Sequence, residues 1–581
     1  MPLTGSTISP AIMSNPVLLQ QPVDLSILQE VAESLLDSGM GSLLLGITVL
    51  WVGMALLGSK SKQALATGRF AGKAERQKAR RTTRQQQQQR RPAKVALKAG
   101  TLDLPQAQQS VVVAGAPDSG KTYSIIDPAI RSAIAQGFPI VVYDFKGSQL
   151  ATHAAWAASQ GYQVDVFAPG QPYTGVFNPL DFLADETDTL MAAQLAYVLQ
   201  KNTQRDSGYR ENDFFNNAGT NLVEAVMLLA KLTPYPDLLM ASKILNLSEL
   251  PARIKQAGES GFIPPWTLES FSQLMASEGA EKQIAGIIAT AQRTFKSFTG
   301  KQLVSSFCGQ TTLPLDLKGK RILFLQVDIQ KRDAVSPLLA AILHLLVTRN
   351  FARPRQEPLV IALDELPTLY LPDLPKWINE FRSNGFVALL GYQNFAQLQH
   401  IYGRELSRTL FAACGTKVFF NPKDRETAQE FSGYLGEKEA RVFTKSRSHG
   451  RYGSHSRSEQ VQRVPLMTAD QILKLDQGEC IFINPAYRGR REASVPLRLK
   501  VKIAPRERQM QQRSEALWFS TVRQRLSDRA QQQRSLTDLN QENVLRQQLA
   551  ERLLPLPAGQ TQRLSTVEGD ISEDEFDEVF R

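Results

Sequence analysis

Eight consecutive residues have the types and spacing to wrap a chain of phosphates: Gly115, Ala116, Pro117, Asp118, Ser119, Gly120, Lys121 and Thr122. They fit G-x-x-x-x-G-K-[ST] and follow an apolar run, Ser110, Val111, Val112, Val113, Ala114, of the kind a buried parallel strand requires. Two glycines let the backbone close round a phosphate, and successive N–H groups with the next helix's N-terminus supply positive potential. Lys121 is placed to reach the β- and γ-phosphates, and the Thr122 hydroxyl to ligate Mg2+. The plain alternative is a glycine-rich turn with an accidental lysine, and the strand in front of it weighs against that. ATP and Mg2+ are the expected ligands.

Binding is not hydrolysis, which needs acids at the same sheet edge. The run Leu359, Val360, Ile361, Ala362, Leu363 ends in Asp364 and Glu365. At the carboxyl end of a parallel strand, Asp364 can hold Mg2+ or its water, and Glu365 can polarise an attacking water as general base. Two acids capping a loop is the bland reading of that pair. Asp144 and Lys146 end another apolar run at the edge where ligands gather, either as site-shaping groups or as an ordinary ion pair. Gln393 follows the run 386–392 and can hydrogen-bond a γ-phosphate and report its loss. Arg382 precedes the same run, and either sits in solvent or reaches into a neighbouring subunit's nucleotide.

These groups need a scaffold. Short apolar runs at 111–115, 140–145, 163–167, 321–327, 359–363, 386–392, 417–420 and 480–483 alternate with helical patterns, which predicts an α/β fold with a parallel sheet covered on both faces. Residues 181–314 interrupt the series with helical patterns at 189–200, 214–231, 247–257, 265–276 and 281–298, read as an inserted all-α domain. The nucleotide-binding domain is then 100–180 and 315–503. The Ser, Arg, Gly and His-rich stretch 445–463 reads as a mobile loop or hairpin. Residues 504–581 form a tail, Gln- and Arg-rich with one or two exposed helices, then acidic with Ile571, Phe576, Val579 and Phe580 interleaved.

The first 59 residues hold no Lys, Arg or His, and 39–58 are uncharged and largely apolar. Twenty residues of helix span about 30 Å, the depth of bilayer hydrocarbon. The basic linker 59–99 follows, with Glu75 its lone acid. That asymmetry predicts a single-pass anchor, with residues 1–38 external and the body cytoplasmic. The net charge of +11 suits anionic lipid or nucleic acid and decides between neither. Cys308, Cys414 and Cys480 are scattered without metal-ligand spacing and read as packing residues of a reduced compartment.

In order and spacing, residues 115–122, Asp144-x-Lys146-Gly147, Asn178-Pro179-Leu180, Asp364-Glu365, Arg382 and Gln393 resemble the type IV coupling proteins. These are the TraG/TraD-type ATPases of conjugation and type IV secretion. Ala428-x-x-Phe431-Ser432-Gly433-x-Leu435-Gly436 and Val464-Pro465-Leu466-Met467-Thr468 extend the resemblance, which covers roughly residues 100–500. It implies a RecA-like P-loop NTPase domain with an all-α domain, a homo-hexameric ring on the inner membrane, and ATP-driven delivery of single-stranded DNA with its attached relaxase to secretion-channel components. It also implies that Arg382 completes the neighbour's site and Gln393 senses the γ-phosphate. The family usually has two membrane helices, whereas one span is readable here. Export of protein effectors, a nucleotide-binding membrane scaffold and a chromosome-pumping ATPase are the rival readings.

Overall fold

Each apolar run sends alternate residues to opposite sides, so it needs cover on both faces, and the chain supplies it. The computed structural model describes residues 66–204, 213–277, 279–296, 299–447, 455–490, 492–533 and 539–557. Residues from Ala66 onward form one compact unit. The expected anchor 39–58 and the acidic end of the tail lie outside the described residues.

The strands are β1 (Leu97–Ala99), β2 (Leu102–Leu104), β3 (Val111–Ala114), β4 (Ile140–Asp144), β5 (Gln163–Phe167), β6 (Arg321–Gln326), β7 (Leu359–Leu363), β8 (Phe386–Tyr392), β9 (Thr416–Phe419), β10 (Glu437–Arg447), β11 (His455–Pro465), β12 (Glu479–Ile483) and β13 (Leu497–Lys500). Nine of them make one sheet in the order β13-β12-β9-β3-β8-β7-β4-β6-β5. Its pairings are parallel from β9 to β5, while β12 runs antiparallel to both β9 and β13. Parallel order brings the carboxyl ends of β3, β7, β4 and β8 to one edge, where the candidate chemistry sits.

Val111 and Val113 enter the core on one face, with the helices Asp127–Gln136 and Ser148–Ser159. Val112 and Ala114 enter the core on the other, with the helix Arg332–Phe351. Ile329–Phe351 is long and apolar enough to cross a membrane, yet residues 337–347 are buried throughout and it serves as a core helix. The second core runs without a break into the helical insertion, through Leu195, Leu199, Val226 and Met227. Among the described residues the insertion has no strand. Its main helices are Thr189–Thr203, Asp213–Lys231, Leu238–Leu245, Leu250–Glu259 and Glu281–Lys296.

Two expectations need correction. The basic stretch, expected as a solvated linker or helix extension, is a helix, Lys73–Gln89, but not a solvated one: Ala79, Thr83 and Gln86 are buried, and the Gln86 side chain accepts the Gln106 N–H at 2.9 Å. The helices expected to lie exposed after 504 are docked. Ser514 on the helix Pro505–Leu517 hydrogen-bonds the Ala151 carbonyl at 3.1 Å. Trp518 meets Tyr173 edge-on at 5.4 Å. On the helix Leu539–Leu553, Arg546 is 1% exposed and pairs with Asp237 at 2.6 Å. Composition hid this because each anchor is a single residue whose partner lies hundreds of positions away. Residues 445–447 and 455–463 of the stretch read as a mobile loop or hairpin lie in the paired strands β10 and β11, whose register runs from Glu437 opposite Pro465 to Arg447 opposite His455.

Candidate nucleotide site

The phosphate loop leaves β3 and is shaped by its own backbone. Ala116 N–H donates to the Asn421 carbonyl at 3.0 Å and Ser119 N–H to the Ala116 carbonyl at 3.2 Å. Gly120 has φ +98°, and a Cβ there would stand 3.0 Å from the Gly478 backbone nitrogen. Only glycine takes that position without strain. Lys121 then opens a helix whose first turn, Thr122–Ile126, is π-wound before α-geometry begins at Asp127. Such turns recur at functional sites.

β7 lies two strands from β3, with β8 between them, and delivers Asp364 against the loop. The Thr122 hydroxyl donates to Asp364 Oδ2 at 2.5 Å across 242 residues of sequence. Burial lifts the Asp364 carboxyl to about 6, against the pull of Lys121 and the Thr122 hydrogen bond. Glu365 is 3% exposed, and its Oε1 accepts from Gln393 Nε2 at 3.1 Å. The Thr368 hydroxyl donates to the Glu365 carbonyl at 2.6 Å and accepts from the Tyr143 hydroxyl at 2.9 Å. Among the described residues, the buried atoms Asp364 Oδ1, Glu365 Oε2 and Ser119 Oγ have no hydrogen-bond partner. Buried polar atoms are normally satisfied, so orphans on the loop and on the strand end hydrogen-bonded to it through Thr122 fit a polar ligand and a cation.

Two strand ends gave sequence reasoning less than the structure gives. Asp144 Oδ2 accepts the Leu150 N–H at 2.9 Å, capping the helix Ser148–Ser159. Burial pushes its carboxyl up, with backbone hydrogen bonds from Leu150, Gln149 and Gly147 opposing. Lys146 is exposed and forms no ion pair with Asp144 among the described residues. It lines a cavity of about 440 Å³ shared with Glu365, Gln393 and Arg332. Arg382 is not brought to this edge. It sits exposed in the turn Phe381–Asn384 before β8, on the opposite edge of the sheet from the phosphate loop. One contributor went unread: a Cβ on Gly391 in β8 would stand 2.2 Å from the Asp364 carbonyl. A glycine inside an otherwise apolar strand marks such close backbone approach, and was the available signal.

The Asp364 carboxyl stands above its ordinary 3.8, so ionising it costs stability at neutral pH, and that cost fades as pH falls through about 6. Asp364→Asn should therefore stabilise the ligand-free protein at pH 7.5 by roughly 2–3 kcal/mol. Thermal unfolding of both proteins between pH 7.5 and 4 checks this: the gap should shrink to about half by pH 5 and nearly close by pH 4, and a constant gap would place the cost elsewhere.

Comparisons with known proteins give the family and the fold. The family model described as type IV secretory system conjugative DNA transfer matches residues 61–491. The coupling protein TraD of Escherichia coli (strain K12) is 28% identical over 190 residues, 32% of this chain. The matched part is 26% of that protein's length. The plasmid coupling protein TrwB in complex with the ATP analogue ADPNP superposes with a TM-score of 0.54 at 16% identity, covering 76% of this chain and 95% of that one. TrwB with ADP and Mg2+ gives 0.51 at 17% identity, covering 69% and 88%. At such identities the structural likeness speaks for the fold, a RecA-like nucleotide-binding fold with a mixed central sheet. The family match spans most of the sequence, and the chain belongs to the type IV coupling proteins, the family of conjugative DNA transfer.

Proposed function

We propose that this chain is a membrane-anchored ATPase motor. In this reading it couples ATP hydrolysis to recruiting single-stranded DNA with its attached relaxase and moving it into a type IV secretion channel. The observation that carries the reading is the contact between Thr122 and Asp364, with unpartnered oxygens of Asp364 and Glu365 beside it. Lys121 and the loop amides would hold the phosphates, and Thr122 with Asp364 would hold Mg2+. That ion, when bound, neutralises phosphate charge. Glu365 would take a proton from water, because Gln393 engages one carboxylate oxygen and leaves the other, which is buried, without a partner. TrwB structures holding ADP with Mg2+ and ADPNP support these ligands.

Residues 39–58 would anchor the chain in the inner membrane with its N-terminus outside, and the body would assemble as a homo-hexamer in the cytoplasm. What supports a ring is that Arg382 lies too far from its own phosphate loop to touch nucleotide there, so that a direct contact would have to be made on a neighbour. The test is ATP turnover by the full chain in detergent, with and without single-stranded DNA, beside Lys121→Ala. Stimulation by DNA that vanishes in the variant is expected. Turnover indifferent to DNA would favour protein export, and nucleotide binding without turnover would favour a scaffold.

A further inference from the structure

The segment that follows Glu365 has no strand to pair with, so its backbone polar groups must find other partners. Residues 366–371 pass Leu366, Leu369 and Leu371 into the core, all 0% exposed. Between the leucines, side chains from two different elements hold the backbone. The Tyr402 hydroxyl donates to the Leu369 carbonyl at 2.8 Å and accepts the Leu371 N–H at 3.2 Å. The Asn202 amide takes the residue between: its Oδ1 accepts the Tyr370 N–H at 2.9 Å, and its Nδ2 donates to the Tyr370 carbonyl at 2.9 Å. The same Nδ2 donates to the Val198 carbonyl at 2.9 Å, so the amide is fully used, and Asn202 is buried.

The two clamps come from different places. Tyr402 lies on the helix Phe395–Ala413, which starts two residues after Gln393. Asn202 lies in the last turn of Thr189–Thr203, the first long helix of the insertion. Glu365 and Gln393 are bonded to each other, and each leads within ten residues into this junction. Four residues separate Glu365 from Tyr370, and the Thr368 hydroxyl, bonded to the Glu365 carbonyl, takes up the slack at the start.

We infer that the Asn202 amide is the contact through which the state of the phosphate site is transmitted to the helical insertion. The inference rests on the reading of Glu365 and Gln393 given above. A displacement of either residue moves the 366–371 segment, and a side chain holding both polar groups of one residue cannot slide along it. Coupling is reciprocal, so substrate on the insertion would act back on turnover through the same amide. Asn202 touches no reacting atom, and is a positioning residue.

The test uses the full chain with Asn202→Ala and with Asn202→Asp, which keeps the volume and loses the donor. Backbone hydrogen exchange is followed in 359–371 and in 189–203, with ADP and with a non-hydrolysable ATP analogue. In the unaltered protein the analogue should change exchange in both segments. In both variants the change should persist in 359–371 and vanish from 189–203, with analogue affinity and basal turnover kept. Stimulation by single-stranded DNA should fall by the roughly 5–150-fold that coupling between sites carries. A variant whose 189–203 segment still responds, and whose stimulation survives, would reduce the clamp to a strut and overturn the inference. Parallel loss of analogue binding and basal turnover would overturn it too, by making Asn202 part of the site's own fold. An unaltered protein that never turns over ATP would instead defeat the functional reading beneath it, a different result in a different assay.

Discussion

Glu365→Gln is expected to lower ATP turnover by about 10²–10⁴, the contribution of a positioned general base, while nucleotide affinity is kept. The substitution is close to isosteric, and the site accommodates it. The new amide oxygen can still accept from Gln393 Nε2, which now donates to Glu365 Oε1 at 3.1 Å. The Thr368 hydrogen bond goes to the backbone carbonyl of residue 365 and is indifferent to the side chain. What disappears is the lone pair on Oε2, which has no protein partner and is the atom free to accept a proton. Binding of a fluorescent ATP analogue measured beside steady-state turnover separates the two effects. Turnover near the unaltered rate would show that Glu365 only braces Gln393, and the base would have to be sought elsewhere along the cavity that both residues line.

This site was readable because its parts are local in sequence. A phosphate loop is eight consecutive residues after a strand, and Asp364 with Glu365 directly follow a run of five apolar residues. The sheet was legible for the same reason: a strand buried on both faces, such as Val111–Ala114, cannot be anything but continuously apolar. What escaped depends on pairing over distance. β13 is only Leu-Arg-Leu-Lys, an edge strand whose alternate residues are charged, and β1 and β2 are three residues each. The docked helices after 504 read as exposed because their Gln- and Arg-rich faces outweigh a few anchors. Arg546 looks like a surface charge until Asp237, 309 positions away, neutralises it inside the core. Asn202 gives no local sign at all. Its role exists because Tyr370, 168 residues on, is folded against it.

Arg382→Ala is expected to leave nucleotide binding intact and to cut turnover by the roughly 10³–10⁵ that an arginine finger contributes. The argument is one of position. β8 has seven residues between the turn bearing Arg382 and the edge bearing Gln393. At about 3.3 Å per residue, that is roughly 20 Å of strand. An arginine side chain cannot cover that distance to its own phosphate loop, so a direct contact with nucleotide could be made only on another copy. This makes a mixing experiment decisive. Lys121→Ala spoils a subunit's own phosphate loop but leaves its Arg382 free to serve a neighbour, whereas Arg382→Ala does the reverse. Each variant alone should be inactive, and an equimolar mixture should recover turnover, because some interfaces join an intact loop to an intact arginine. A mixture as inactive as its parts, with both variants still assembling, would mean that the two residues serve the same active site or that Arg382 supports the fold. Full activity of Arg382→Ala alone would return that residue to the solvated surface on which the structure displays it.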